Sequence, residues 1–169
     1  MAKLTQLGWQ GVAMTTAKDV AGYIVKKFQD RGDLITNLKI QKLLYYVQGW
    51  HLGLHKERAF DGEFRAWIHG PVNLDVYHEY KRYRWTPISD EQLDVDLPKD
   101  LQEHVDEVLS VYGGDTAWAL EHSTHLERPW LTARAGLNPD DEGHAVIRDE
   151  IMQEFFEEQA KDDGGDQEG

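Results

Sequence analysis

The stretch that decides the fold is residues 37–50, which read NLKIQKLLYYVQGW. Its apolar residues recur at the three- and four-residue spacing of a helix, and two tyrosines and a tryptophan widen the apolar stripe. Asn37 is a suitable N-cap, and Lys39 and Lys42 are predicted to lie outside the stripe. The pattern predicts the central helix of the fold, buried on more than one side.

Helical spacing elsewhere predicts several shorter helices, and one segment alternates as a strand does. Phe64, Ala66 and Ile68 alternate with Arg65, Trp67 and His69, which suggests a short strand. Gly70-Pro71 is predicted to end this strand, with Pro71 in the first turn of the next helix. The sequence therefore predicts a mainly α, compact single-domain helical bundle around a central buried helix, with a small β element near 60–69. The further helices are expected at about 16–30, 72–83, 101–112, 116–120, 125–130 and 147–155.

The chain is expected to divide into three parts. Residues 1–14 lack a clear hydrophobic period and are expected to be an N-terminal extension. Residues 15–156 hold the periodic segments and form one domain of ordinary size. From residue 157 onward Ala160 is the one apolar side chain, so residues 157–169 are predicted to be an acidic disordered tail.

The net charge of −13 is concentrated in two segments. Residues 86–107 carry eight acidic residues against one lysine, and residues 149–169 carry nine against one lysine. The rest of the chain is near neutral. Such a charge distribution repels nucleic acid and attracts a basic partner. The alternative is that the acidic residues only keep the protein in solution. No direct nucleic-acid binding is expected.

Composition also indicates the cellular compartment in which the protein is expected. The chain has no cysteines, which excludes disulfides and thiolate zinc sites. No apolar run approaches the roughly 20 residues that span a bilayer, and the N-terminus lacks the plan of a secretory signal. We therefore expect a cytoplasmic protein without membrane contact.

Catalytic and metal-binding patterns are weak. His51 and His55 share a helix face, but residue 52 is leucine rather than the glutamate of a zinc peptidase. Ser123 lies between two histidines but has no glycine-flanked elbow. The glycines match neither dinucleotide nor Walker spacing. We expect no catalytic residue, no metal and no cofactor; an enzyme that depends on histidine is the less favoured alternative.

The run His69-Gly70-Pro71 is open to two interpretations. A Gly-Pro step after a strand fixes a tight corner, which orients the next helix. Alternatively, Trp67 and His69 project at that corner toward a ligand. The residues alone favour the first interpretation.

Taken in order, these segments resemble the Panacea domain, the SocA-like antitoxin family that is also described as phage-associated genetic element protein A. The resemblance spans about residues 16–156 and departs from the family pattern at His69, where tyrosine is common. The matching pieces are Asp19-Val20-Ala21, Tyr23-Ile24, Asn37-Leu38-Lys39, Gln41 to Tyr46, Gln48-Gly49-Trp50, Ala66-Trp67, His69 to Val72, Val76-Tyr77, Tyr112-Gly113, Thr124-His125, Glu127 and Pro129-Trp130.

The resemblance implies a non-enzymatic antitoxin of a bacterial or prophage toxin–antitoxin pair, which binds a cognate toxin encoded next door. At least one family member is instead an adaptor that delivers its toxin to a cytosolic protease. A phage-encoded protein with a host target is a further alternative. The candidate partner-binding residues are Trp67, His69, Gly70, Pro71, Tyr77, His125 and Trp130.

Overall fold

The computed structural model describes residues 14–90 and 95–166, with side chains up to residue 163. This part of the chain contains seven α-helices and a three-stranded sheet, which confirms the predicted mainly helical fold. In chain order the elements are α1 (Ala17–Asp30), α2 (Asn37–His55), β1 (Phe64–Trp67), β2 (Gly70–Val72), α3 (Leu74–Tyr80), a 3-10 turn (Lys81–Tyr83), α4 (Lys99–Tyr112), α5 (Ala117–His125), α6 (Arg128–Ala133), β3 (Val146–Ile147) and α7 (Asp149–Asp166).

Helix α2 lies at the centre, as predicted. Every residue from Ile40 to Gly49 is buried, and α1, α4, α5 and α7 all pack on α2. The N-cap is Thr36 rather than Asn37, because the Thr36 hydroxyl accepts the Lys39 backbone N–H. Asn37 is the first helical residue, and its side chain links α2 to the carbonyl of Tyr77.

The β element is larger than the sequence indicates. Strand β1 lies between β2 and β3, and both pairings are antiparallel. Gly70-Pro71 therefore begins β2 rather than ending the sheet, and Pro71 is tolerated because β2 is an edge strand. Helix α3 starts later, at Leu74, where the Asn73 side chain accepts the Val76 N–H. Ile147, predicted in the last helix, lies in β3.

Helix α7 packs closely along α2. A Cβ atom at Gly49 would lie 2.1 Å from the Phe156 ring, and one at Gly53 would lie 2.8 Å from the Phe156 backbone. The helix continues to Asp166, so residues 157–166 are helical and the predicted disordered tail is wrong over that range. Residues 1–13 and 167–169 lie outside the described part. None of the described helices is both long and apolar enough to cross a membrane.

Candidate functional site

The candidate site is the tip of the β1–β2 hairpin, where residues 67–71 meet α2, α5 and α6. We call these hairpin residues, together with the side chains that contact them, the corner. Strands β1 and β2 are joined by a two-residue turn, Ile68-His69. Antiparallel pairing of Trp67 with Gly70 closes the hairpin. The tip therefore occupies a fixed position against the helices.

Gly70 lies against the helices so closely that no side chain fits there. Its φ of +103° is one that residues with a Cβ rarely adopt. A Cβ would also lie 2.8 Å from Lys42 Cε and 2.9 Å from Thr124 Oγ1. Glycine at this position lets the hairpin reach α2 and α5.

Lys42 is fully buried beneath the hairpin, so the prediction that it lies outside the buried stripe is wrong. Its Nζ donates to the carbonyl oxygen of Pro71 over 3.4 Å. Burial lowers the pKa of Lys42 to about 7, and the Glu121 carboxylate partly opposes this shift. An amine in such surroundings exchanges its proton near neutral pH.

A carboxylate lies between two imidazoles at the rim. His69 Nδ1 donates to Glu121 Oε1 over 2.7 Å, and the same oxygen lies 3.9 Å from His125 Nε2. The His69 side chain is 71% exposed, whereas Glu121 is 17% exposed. Burial lowers the pKa of His125, although Glu121 opposes the shift. His69 is therefore a solvent-facing group held in one orientation by a partly buried acid.

Trp130 supports the corner from the inside. Its indole N–H donates to the carbonyl of Trp67 over 2.8 Å, and its ring stacks on His125 with centroids 4.1 Å apart. The Arg134 guanidinium lies 4.7 Å from the centre of the Trp130 ring and donates to the carbonyl of Ala66. Trp130 is 4% exposed, so in this structure it orients the hairpin and does not face solvent.

The outer face of the corner is aromatic. The half-buried Trp67 ring packs edge-on against Tyr77, with centroids 5.0 Å apart, and against His144 at 6.0 Å. Tyr77 belongs to α3, so this contact joins the hairpin to the helix that follows it. Together with His69, these rings present an amphipathic surface of the kind enriched at protein–protein contacts.

A second partly buried acid, Glu127, is the residue immediately before α6. Glu127 accepts hydrogen bonds from the hydroxyls of Tyr45 and Tyr46, both over 3.0 Å. Burial raises the pKa of Glu127 to about 7, although both hydroxyl bonds oppose the shift. These bonds fix α6 to the centre of α2.

The hydroxyl groups of α5 are engaged by the backbone. Ser123 donates to the carbonyl of Ala119, and Thr124 donates to the carbonyl of Glu121. Neither bond is the hydroxyl-to-imidazole contact that activates a nucleophile. Within residues 14–90 and 95–166, no group of three His, Cys, Asp or Glu side chains has the arrangement of a metal site.

The structure brings the seven predicted residues together, but they differ in how far each is exposed. Trp67, His69, Tyr77 and His125 are at least partly accessible, whereas Gly70, Pro71 and Trp130 are buried. Sequence analysis missed Lys42, although it shares a helix face with Tyr45, Tyr46 and Gly49. The family resemblance includes Glu127, but no sequence signal predicted the contacts of Glu121 or Glu127, whose partners lie 52 and 81–82 residues away.

Comparison with known proteins gives one match. A family model described as "Antitoxin SocA-like, Panacea domain" matches residues 40–131. This range begins within α2 and ends within α6, so it contains the whole hairpin and all of α5. No curated protein and no solved structure matches the chain.

Proposed function

The chain belongs to the SocA-like antitoxin family with its Panacea domain, and on this premise we propose that it neutralises a cognate toxin by direct, non-covalent protein–protein contact. The family match over residues 40–131 carries the proposal. The toxin is expected to be a small protein encoded beside this chain. Neutralisation then needs binding alone, and a stable interface buries about 1,200–2,000 Å² in total.

The corner is the surface that we propose for this contact. Its exposed groups are the His69 imidazole, held by the partly buried Glu121 carboxylate, and the half-buried Trp67 indole, which packs edge-on against Tyr77. Groups that are already ordered before binding lose little entropy when the partner arrives. His69 and Trp67 are therefore proposed to touch the toxin, whereas Gly70, Pro71 and Trp130 hold them in place.

Co-expression with the neighbouring small gene tests this function. The chain should restore growth that the toxin arrests. His69→Ala should weaken toxin binding about fivefold or more, because it removes an ordered group from the contact. His122→Ala changes an exposed histidine on α5 and is the matched control. Equal loss from both variants would contradict a role for the corner, and no rescue by the unaltered chain would contradict the function.

The same experiment separates the adaptor alternative. An adaptor restores growth because the toxin is degraded, so toxin levels should fall only in cells that contain the cytosolic protease. A neutralising partner restores growth with or without that protease, and the toxin persists. Rescue that depends on the protease would replace direct inhibition with proteolytic delivery.

A further inference from the structure

A second surface of the protein, away from the corner, has the form of a docking groove. It lies where α4 and α7 pack on the C-terminal half of α2 and pack little on each other. The space between them is about 310 Å³ and is lined by Trp50, Leu54, Val111 and Tyr112, with Glu107 and Asp163 among the polar residues. We call this the α4–α7 groove. It is separated from Lys42 by about two turns of α2.

The floor of the groove is rigid. The Trp50 indole N–H donates to the Tyr112 hydroxyl over 2.9 Å, and the Trp50 ring packs edge-on against Phe156. The Tyr112 ring stacks on the buried Tyr46, with centroids 4.0 Å apart. These contacts order the aromatic floor before any ligand binds.

Two apolar side chains that line the groove are well exposed. Leu54, at the end of α2, is 50% exposed, and Val111, at the end of α4, is 65% exposed. Both line the same space. A groove with an aromatic floor and exposed apolar side chains is the kind of surface on which an amphipathic helix lays its apolar face.

Charge indicates what kind of helix binds. The two segments that hold the excess negative charge of the chain, residues 86–107 and 149–169, include most of α4 and all of α7. Each of these helices contributes one acid to the groove, Glu107 and Asp163. The apolar floor is thus flanked on two sides by acidic helices, which favours a basic partner and disfavours an acidic one.

We propose that the α4–α7 groove binds a basic amphipathic helix of a partner protein. Its apolar face covers Leu54 and Val111, and its lysine or arginine side chains lie toward Glu107 and Asp163. This surface is distinct from the corner and does not require that the partner be a toxin. If the partner is the toxin, the groove carries a second part of the same contact.

A synthetic peptide tests the groove directly. The probe is a leucine–lysine helix of about 18 residues, or about five turns, with leucines on one face. Two comparison peptides serve as controls. The first keeps the spacing of the leucines but has glutamate in place of lysine. The second keeps the leucine–lysine composition but has the order of the residues scrambled. The leucine–lysine helix should bind the full chain and shift the Trp50 indole N–H signal. Equal binding of either comparison peptide would overturn the proposal.

Variants of the chain locate the binding. Leu54→Arg places a like charge in the groove and should weaken peptide binding about tenfold or more. Leu34→Arg changes a leucine that is 76% exposed outside the groove and should have little effect. A paired Glu107→Gln and Asp163→Asn variant should bind less tightly at low salt, with the difference shrinking at high salt. Equal effects of the two arginine variants would show that the peptide binds elsewhere and would overturn the proposal.

The alternative occupant of the α4–α7 groove is the chain's own N-terminal segment, residues 1–13, which contains Leu7 and Trp9. If that segment fills the groove, replacing both residues with aspartate in the full chain should strengthen peptide binding. Unchanged peptide binding supports a separate partner. Stronger binding would assign the groove to the chain itself and overturn the proposal. Neither result bears on whether the chain neutralises a toxin.

Discussion

At the scale of single residues, the corner depends on two side chains that have unusual surroundings. Gly70 combines a positive φ with contacts that leave no room for a Cβ. Lys42 is fully buried, and its amine donates to a backbone carbonyl of the same hairpin. A substitution at each of these two residues is expected to change the stability of the protein.

Gly70→Ala should destabilise the protein by about 1–3 kcal/mol, since the new methyl group meets Lys42 and Thr124 and the backbone is strained. Thermal or denaturant unfolding measures the change. Gly114→Ala is the matched control, because a Cβ there has no neighbour within 4 Å. If the two variants unfold alike, the close approach of the hairpin to α2 is wrong.

Lys42→Met should remove a pH dependence of stability. Between pH 7 and 10.5 the unfolded chain holds a proton on Lys42 that the folded chain has lost, so native stability rises with pH. The rise is at most about 1.4 kcal/mol per pH unit. The measured quantity is the unfolding free energy of the unaltered chain minus that of Lys42→Met. This difference should increase from pH 7 to 9. Lys18→Met, at an exposed lysine, is the control. A difference that stays flat would mean that Lys42 keeps its charge when folded.

At the scale of elements, the contact between α2 and α7 organises the core. Gly49 and Gly53 lie one helical turn apart on α2, and both face Phe156 of α7. The absence of side chains at these two positions lets the helix backbones approach each other. The same approach brings the acidic end of α7 beside the α4–α7 groove.

Gly53→Ala should therefore destabilise the protein by about 1–3 kcal/mol, because the added methyl meets backbone atoms that cannot move aside easily. The unfolding free energy measures this cost. A second variant, Phe156→Leu, in the Gly53→Ala background should not relieve it, since the conflict involves the backbone. If Gly53→Ala costs no stability when measured against Phe156→Leu alone, the conflict lies in the ring instead.

The elements that follow a long periodic pattern could be predicted from sequence, and those set by distant contacts could not. Helix α2 was predicted because many apolar side chains repeat along it. Strand β3 has two residues and exists only because Val146 and Ile147 pair with β1, about 80 residues earlier. Helix α7 extends past Phe156, and Glu157 and Glu158 in this extension form ion pairs with Lys56 and Arg128, contacts that composition cannot reveal.

The same reason limits the prediction of the site. The run His69-Gly70-Pro71 was recognisable as a corner because glycine and proline restrict the local backbone. The partner of His69 was not, because Glu121 lies on a different helix. Lys42 was predicted to lie outside the apolar stripe, and only the packed structure shows that it is buried with its amine on the carbonyl of Pro71.

At the scale of the whole molecule, two surfaces lie on one rigid centre. The corner is built on the N-terminal half of α2, and the α4–α7 groove is built on its C-terminal half. One surface presents imidazole and indole groups, and the other presents an apolar floor between acidic helices.

Direct, non-covalent neutralisation is tested most directly by co-expressing the chain with the small protein expected to be encoded beside it. The measurement is the mass of the complex that co-purifies with the chain. Light scattering should give a stable complex that contains both proteins, and mass spectrometry should give each protein its unmodified mass. Direct, non-covalent neutralisation would be contradicted if growth is restored while the small protein carries a covalent change, or while it is present in cells yet never associates with this chain.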